Sequence, residues 1–153
     1  LVGSEMCIRD RSNRERYEGF CQALTDAGKK VDSSLCLTTP LGIDTYREEI
    51  DTFLSSLSRM PDAFVCASDY VACILMQLLE KRGLRVPEDV AVSGFDNNAE
   101  DLLAEHLTTV QVFNEELGAR LALQILYRIK YPNTPHEITY LGTNVLYRDS
   151  TGD

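Results

Sequence analysis

Two short apolar runs constrain this chain most. Residues 63–67 read Ala-Phe-Val-Cys-Ala after Pro61-Asp62, and residues 90–95 read Val-Ala-Val-Ser-Gly-Phe after Pro87-Glu88-Asp89. Runs of this length, opened by turn residues, read as strands, the first buried on both faces. Between them lies a stretch of helical period. Asp69 stands in capping position, the pattern runs to about Arg82, and Gly83 stops it. Strand, helix, strand in that order predicts parallel pairing through a crossover helix.

The alternation extends in both directions. Residues 12–27 predict a helix with Ser12 and Glu15 as a capping box, Tyr17, Phe20, Cys21 and Leu24 on one face, and Gly28 as its stop. A short strand is expected at 34–37. Thr45 and Glu48 open a second helix, 45–58, with the stripe Tyr46, Ile50, Phe53, Leu54 and Leu57. Further on come a short helix at 99–105, an extended crossing at 108–112, and a long helix capped by Asn114 and reaching Tyr131. Short strands at 137–141 and 144–147 precede a tail expected to fray after Arg148. The expected class is α/β, a mostly parallel sheet with helices on both faces. Residues 1–11 show neither period and read either as a non-native leader or as a genuine loop. The first clear element is a helix with no strand before it, as in a cut through a larger α/β domain.

Charge and cysteine usage narrow the function. A net charge of −9 over 153 residues argues against gripping a phosphate backbone. Five cysteines, an odd number with no Cys-x-x-Cys pair, read as free thiols in a reducing cytosol. No apolar run approaches the roughly 18 residues of a membrane span, and no secretory signal is visible. No Gly-x-Ser-x-Gly elbow, Walker-type phosphate loop or dinucleotide fingerprint occurs. Neither His106 nor His136 has a Cys or His neighbour at ligand spacing, so neither a metal nor a cofactor is expected, and the chain does not read as an enzyme.

In open parallel sheets, ligands bind beyond the carboxyl ends of the strands. Here those ends carry Thr38 and Thr39, Ser68 and Asp69, and Asp96, Asn97 and Asn98, with Arg16 near the start of the first helix. Carboxylates, amides, hydroxyls and a guanidinium fork suit a polyhydroxylated ligand such as a sugar. Plainer roles compete: Asp69 as a helix cap, Asp96-Asn97 as turn chemistry, Arg16 on a solvated face.

Five segments carry a family resemblance. Arg16-Tyr17-Glu18-Gly19-Phe20-Cys21-Gln22-Ala23-Leu24, residues 61–69, residues 86–97 (Val-Pro-Glu-Asp-Val-Ala-Val-Ser-Gly-Phe-Asp-Asn), Leu107-Thr108-Thr109-Val110 with Gly118-Ala119-Arg120-Leu121-Ala122, and Leu146-Tyr147-Arg148-Asp149-Ser150 occur in order. Together they resemble the effector domain of the LacI/GalR family of bacterial transcription regulators. The resemblance implies a periplasmic-binding-protein-like type I fold of two α/β subdomains with a ligand in the cleft between them. It implies that residues 12–107 form the C-terminal subdomain, that 108–135 cross to a helix of the other, and that 136–153 return. It assigns Arg16 and Asp96 to effector contact, with Ser68, Asp69 and Asn97 beside them. Ser68 departs from the family's usual Asn, and the 38–45 segment lacks the aromatic residue that several members stack on the effector. The resemblance further implies a homodimeric, cytoplasmic regulator that touches DNA only through an N-terminal headpiece not present in this chain, and no membrane partner. A secreted sugar-binding protein of a transporter shares the fold and is the alternative; the free cysteines and the 86–97 segment favour the regulator.

Overall fold

Phe64 and Val92 are register partners on neighbouring parallel strands, and both are fully buried on the same face. That pair is the centre from which the fold is built. The computed structural model describes residues 11–38, 45–98 and 101–152. Its elements are α1 (Arg11–Asp26), α2 (Tyr46–Ser56), β1 (Ala63–Val65), α3 (Asp69–Lys81), β2 (Ala91–Ser93), β3 (Thr109–Gln111), α4 (Asn114–Lys130) and β4 (Asn144–Leu146). Short 3₁₀ turns occupy Ser33–Leu35, Leu102–His106 and Asp149–Thr151.

Strands β1 and β2 pair in parallel. The parallel order continues from Ser93 to Thr108 and from Asp96 to Gln111, and β4 closes antiparallel on β3. Helices α2 and α3 cover the Phe64 face. Ile50, Phe53 and Leu54 of α2 meet a helix α3 that is buried almost all round, through Val71, Ala72, Cys73, Ile74, Leu75, Met76, Leu78 and Leu79. Each such aliphatic side chain contributes about 1.5–3 kcal/mol on burial, so this layer carries most of the stability. Helix α1 lies over the opposite face, where Phe20 and Ala23 look across a cavity of about 480 Å³ at Val65 and Phe95.

Helix stops follow the expected chemistry. Gly28 has φ +69°, its N–H donates to Thr25 O, and Lys29 N–H donates to Leu24 O, a Schellman closure of α1. Gly83, at φ +74°, closes α3 in the same left-handed conformation.

Helix starts differ from expectation. The chain is already helical at Arg11, so Ser12 lies inside α1, and Glu15 accepts from Arg11 Nε at 2.7 Å. Thr45 donates its hydroxyl to Glu49 rather than capping with Glu48. Ser68, not Asp69, caps α3, accepting from Val71 N–H at 3.4 Å. Asn114 is the first helical residue of α4, and Phe113 before it makes no side-chain cap.

Strands differ more. The 34–37 strand is a 3₁₀ turn held by Asp32, which accepts from Ser34 N–H at 2.9 Å; only Leu37 reaches strand pairing. Strand β1 is buried on one face only, with Val65 37% exposed on the other. No strand forms at 137–141. The expected short helix at 99–105 is the turn Leu102–His106; residues 99 and 100 lie outside the described residues, as do 1–10 and 39–44.

The tail does not fray. Ser150 is only 2% exposed, accepting from Thr108 N–H at 2.8 Å and donating to Val92 O at 2.6 Å. Helix α4 is the converse case, with no buried residue along its length. Among the described cysteines Cys66 and Cys73 are buried and Cys21 and Cys36 half-buried, all as free thiols. Burial pushes the Cys66 thiol up to about 12 and Cys73 up to about 11, as expected for inert core thiols. Among the described residues no helix is long and apolar enough to cross a membrane.

Candidate functional site

The carboxyl ends of β1 and β2 are tied side by side. Cys66 N–H donates to Ser93 O at 2.8 Å, and Asp69 N–H donates to Phe95 O at 2.9 Å. Arg16 of α1 then spans both ends. Its Nη1 donates to Ala67 O at 2.6 Å, its Nη2 to Asp96 Oδ1 at 3.2 Å, and its plane lies 3.8 Å from the centre of the Phe95 ring. Arg16 and Asp96 are 25% and 24% exposed, enough for a solute to reach both. Among the described residues nothing bonds Asp96 Oδ2 or the remaining Arg16 donors.

Asp96 sits on unusual backbone. Its φ is +103° and that of Asn97 is +52°, a region that side-chain-bearing residues other than Asn and Asp seldom adopt. The conformation is held from the neighbouring crossing. Asp96 N–H donates to Val110 O at 2.9 Å, and Val112 N–H donates to Asp96 O at 3.4 Å. Burial raises the Asp96 carboxyl above its ordinary value and the nearby Asp69 adds to this, while Arg16 opposes it.

The other candidates divide. Ser68 spends its hydroxyl on the α3 cap. Asp69 is 1% exposed: Oδ1 accepts from Thr109 Oγ1 at 2.5 Å and Oδ2 from Asn98 N–H at 3.2 Å, which fastens α3 to both the Asp96 turn and β3. Asn97 Oδ1 accepts from Arg148 Nη2 at 2.9 Å. Arg16 and Asp96 are therefore brought together, and Asp69 is packed beneath them. Sequence reasoning missed Phe95, Gly94, Thr109 and Arg148. Gly94 leaves the space that Asp69 Oδ1 fills. An aromatic side chain directly before Asp96 was the one readable signal, since arginine stacks on aromatic faces.

Polar side chains gathered at the carboxyl ends of a parallel sheet are the arrangement of a ligand-binding α/β domain. Residues 1–151 match the periplasmic binding protein-like domain family. The HTH-type transcriptional regulator DegA of Bacillus subtilis is 35% identical over 107 residues, covering 69% of this chain and 31% of that protein. A LacI-family transcriptional regulator from Sanguibacter keddieii superposes with a TM-score of 0.84 at 30% identity, covering all of this chain and 57% of that one. The transcriptional regulator CelR in complex with cellobiose superposes at 0.83 with 28% identity, covering 97% and 46%. The chain belongs to the periplasmic binding protein-like family, with the type I α/β fold. Within it, this is part of the effector domain of a LacI-family transcriptional regulator, a non-enzymatic class. The chain spans between 31% and 57% of the length of these relatives.

Proposed function

We propose that this chain senses a sugar or related small polar metabolite at the ends of β1 and β2, and passes that signal to DNA binding in a cytoplasmic, homodimeric regulator. The observation that carries the reading is the Arg16–Asp96 pair. It joins two strand ends, is partly open to solvent and, among the described residues, keeps spare donors on one side and a spare acceptor on the other. Vicinal hydroxyls satisfy both at once, as donors to the carboxylate and acceptors from the guanidinium. The Phe95 face beneath Arg16 limits its rotation, so little order is lost on binding. We assign Arg16 and Asp96 the principal contacts, Ser68 and Asn97 flanking ones, and buried Asp69 the support of the turn. Residues 12–107 and 136–153 belong in this reading to one subdomain, and 108–135, with α4, to the other. Effector binding then alters the subdomain arrangement through the Val110–Val112 crossing that holds Asp96.

The test is calorimetric titration with cellobiose and a panel of monosaccharides, on this chain joined to the remaining half of a relative's effector domain. Arg16→Ala and Asp96→Asn are each expected to weaken the best ligand ten- to a hundredfold, about 1–3 kcal/mol, and Ser68→Ala less. Unchanged affinity in both the Arg16 and Asp96 variants, with folding intact, rejects the assignment.

A further inference from the structure

We propose that Arg148 is a positioning residue for the effector site: from the far end of the chain its guanidinium clamps the Asp96–Asn97 turn in its binding shape. The inference rests on the reading of Asp96 as an effector contact. Two consecutive residues at φ +103° and +52° need an external hold, because a local sequence Asp-Asn-Asn has many other conformations open to it. The bonds from Val110 and to Val112 fix the Asp96 backbone on one side. On the other side stands Arg148. Nη1 donates to Ala104 O at 3.0 Å and Leu107 O at 2.9 Å, and Nη2 donates to Asn97 Oδ1 at 2.9 Å. One rigid fork thus joins the turn after β2 to both the 3₁₀ turn and the residue that leads into β3.

The fork is itself anchored. Arg148 N–H donates to Thr108 Oγ1 at 2.8 Å, and two residues on Ser150 is buried against Val92 and Thr108. The guanidinium faces a cavity of about 250 Å³ whose other charged residues are Asp69, Asp101 and Glu105, so its position is favoured electrostatically as well as by hydrogen bonds. A lysine cannot reproduce this arrangement. It offers a point charge without the planar fork needed to reach two carbonyls and an amide together.

Amide hydrogen exchange on the full chain separates positioning from a general structural role. Arg148→Gln is expected to speed exchange at Asp96 and Asn98 at least tenfold, leaving Phe64 and Val92 within twofold of wild type; Arg148→Lys is expected to fall between. Acceleration shared equally by the core amides, or no acceleration at the turn, overturns the proposal. Should Arg148→Gln not fold, Arg148→Lys is read together with Asn97→Gly, which keeps the positive φ and deletes the acceptor. Combining the two is expected to add less than twofold at Asn98 beyond Asn97→Gly alone, and full additivity overturns the proposal. A binding arm follows cellobiose with the completed domain: Arg148→Gln is expected to raise its Kd about tenfold under conditions where the core amides stay within twofold of wild type. The site reading fails separately, by unchanged affinity in Arg16→Ala and Asp96→Asn, and the exchange result still decides whether Arg148 holds the turn.

Discussion

The carboxyl of Asp96 is three-quarters hidden from water, 3.2 Å from the Arg16 guanidinium, and in the field of buried Asp69. Its upward shift has a definite consequence for pH. An acid whose folded value lies above its unfolded value stabilises the fold when protonated, and that contribution is lost as pH rises through the folded value. Above that folded value the shift no longer adds to the stability of the fold. Asp96→Asn is expected to melt no lower than wild type at pH 7 and to flatten the pH dependence just above the ordinary aspartate value of about 3.9. Under the proposed site assignment it is expected to lose effector affinity nonetheless. A purely structural Asp96 gives the reverse, lower stability with affinity untouched, and thermal melts across pH beside the titrations decide. Gly94 is the second residue whose role is local geometry. A methyl there would fall on Asp69 Oδ1 and within 2.8 Å of Leu107 Cδ2. Asp69 cannot yield without giving up Thr109 and Asn98. Gly94→Ala is expected to cost about 1–3 kcal/mol in a urea titration. Gly118→Ala, with open space around it on α4, is expected to gain about 0.5–1 kcal/mol. Equal midpoints for the two variants would show that the Gly94 site relaxes freely.

Elements whose code is local were legible, and elements whose code is distant were not. The stripe of α2 and the glycine stops of α1 and α3 read directly, because helical period and left-handed closure are properties of neighbouring residues. Cap positions slipped by a residue at α3 and α4, since Ser68-Asp69 and Phe113-Asn114 each offer a polar side chain next to the true boundary. The strands are three residues long, too short for alternation to show, and the 137–141 segment had the composition of a strand without a partner. That Arg16 and Asp96 meet was legible in part, because the carboxyl ends of neighbouring parallel strands lie along one edge, where polar residues converge. Arg148 was not, since nothing at residues 146–151 signals bonds forty to fifty residues back. The tail makes this testable. Ser150 bridges Thr108 N–H and Val92 O in a buried position, so Ser150→Ala strands a donor and an acceptor and should cost about 1–3 kcal/mol. A frayed tail would leave the denaturation midpoint where it was.

At the scale of the whole molecule the two halves of the chain are unequally finished. The layer of β1, β2, α2 and α3 encloses a continuous core, while α4 buries nothing. Leu117, Leu121, Ile125 and Ile129 recur on one side of α4 and are 48%, 61%, 52% and 73% exposed. Their spacing of four is that of a helix face built to meet another surface. In the proposed arrangement that surface is the other subdomain, most of which lies outside this chain. Without it the stripe stands in water, and a contiguous apolar surface of this kind drives association. The charge of −9 opposes close approach of two copies, but the repulsion is screened beyond about 8 Å at physiological salt, and apolar contact is not. The chain alone is therefore expected to self-associate in sedimentation velocity, more strongly as salt rises. Leu121→Lys with Ile125→Lys should return it to monomer, and the core should melt as before because neither side chain contributes to it. A monomer at all salt concentrations, or a double variant that loses its core, would mean that α4 is already partnered within this chain.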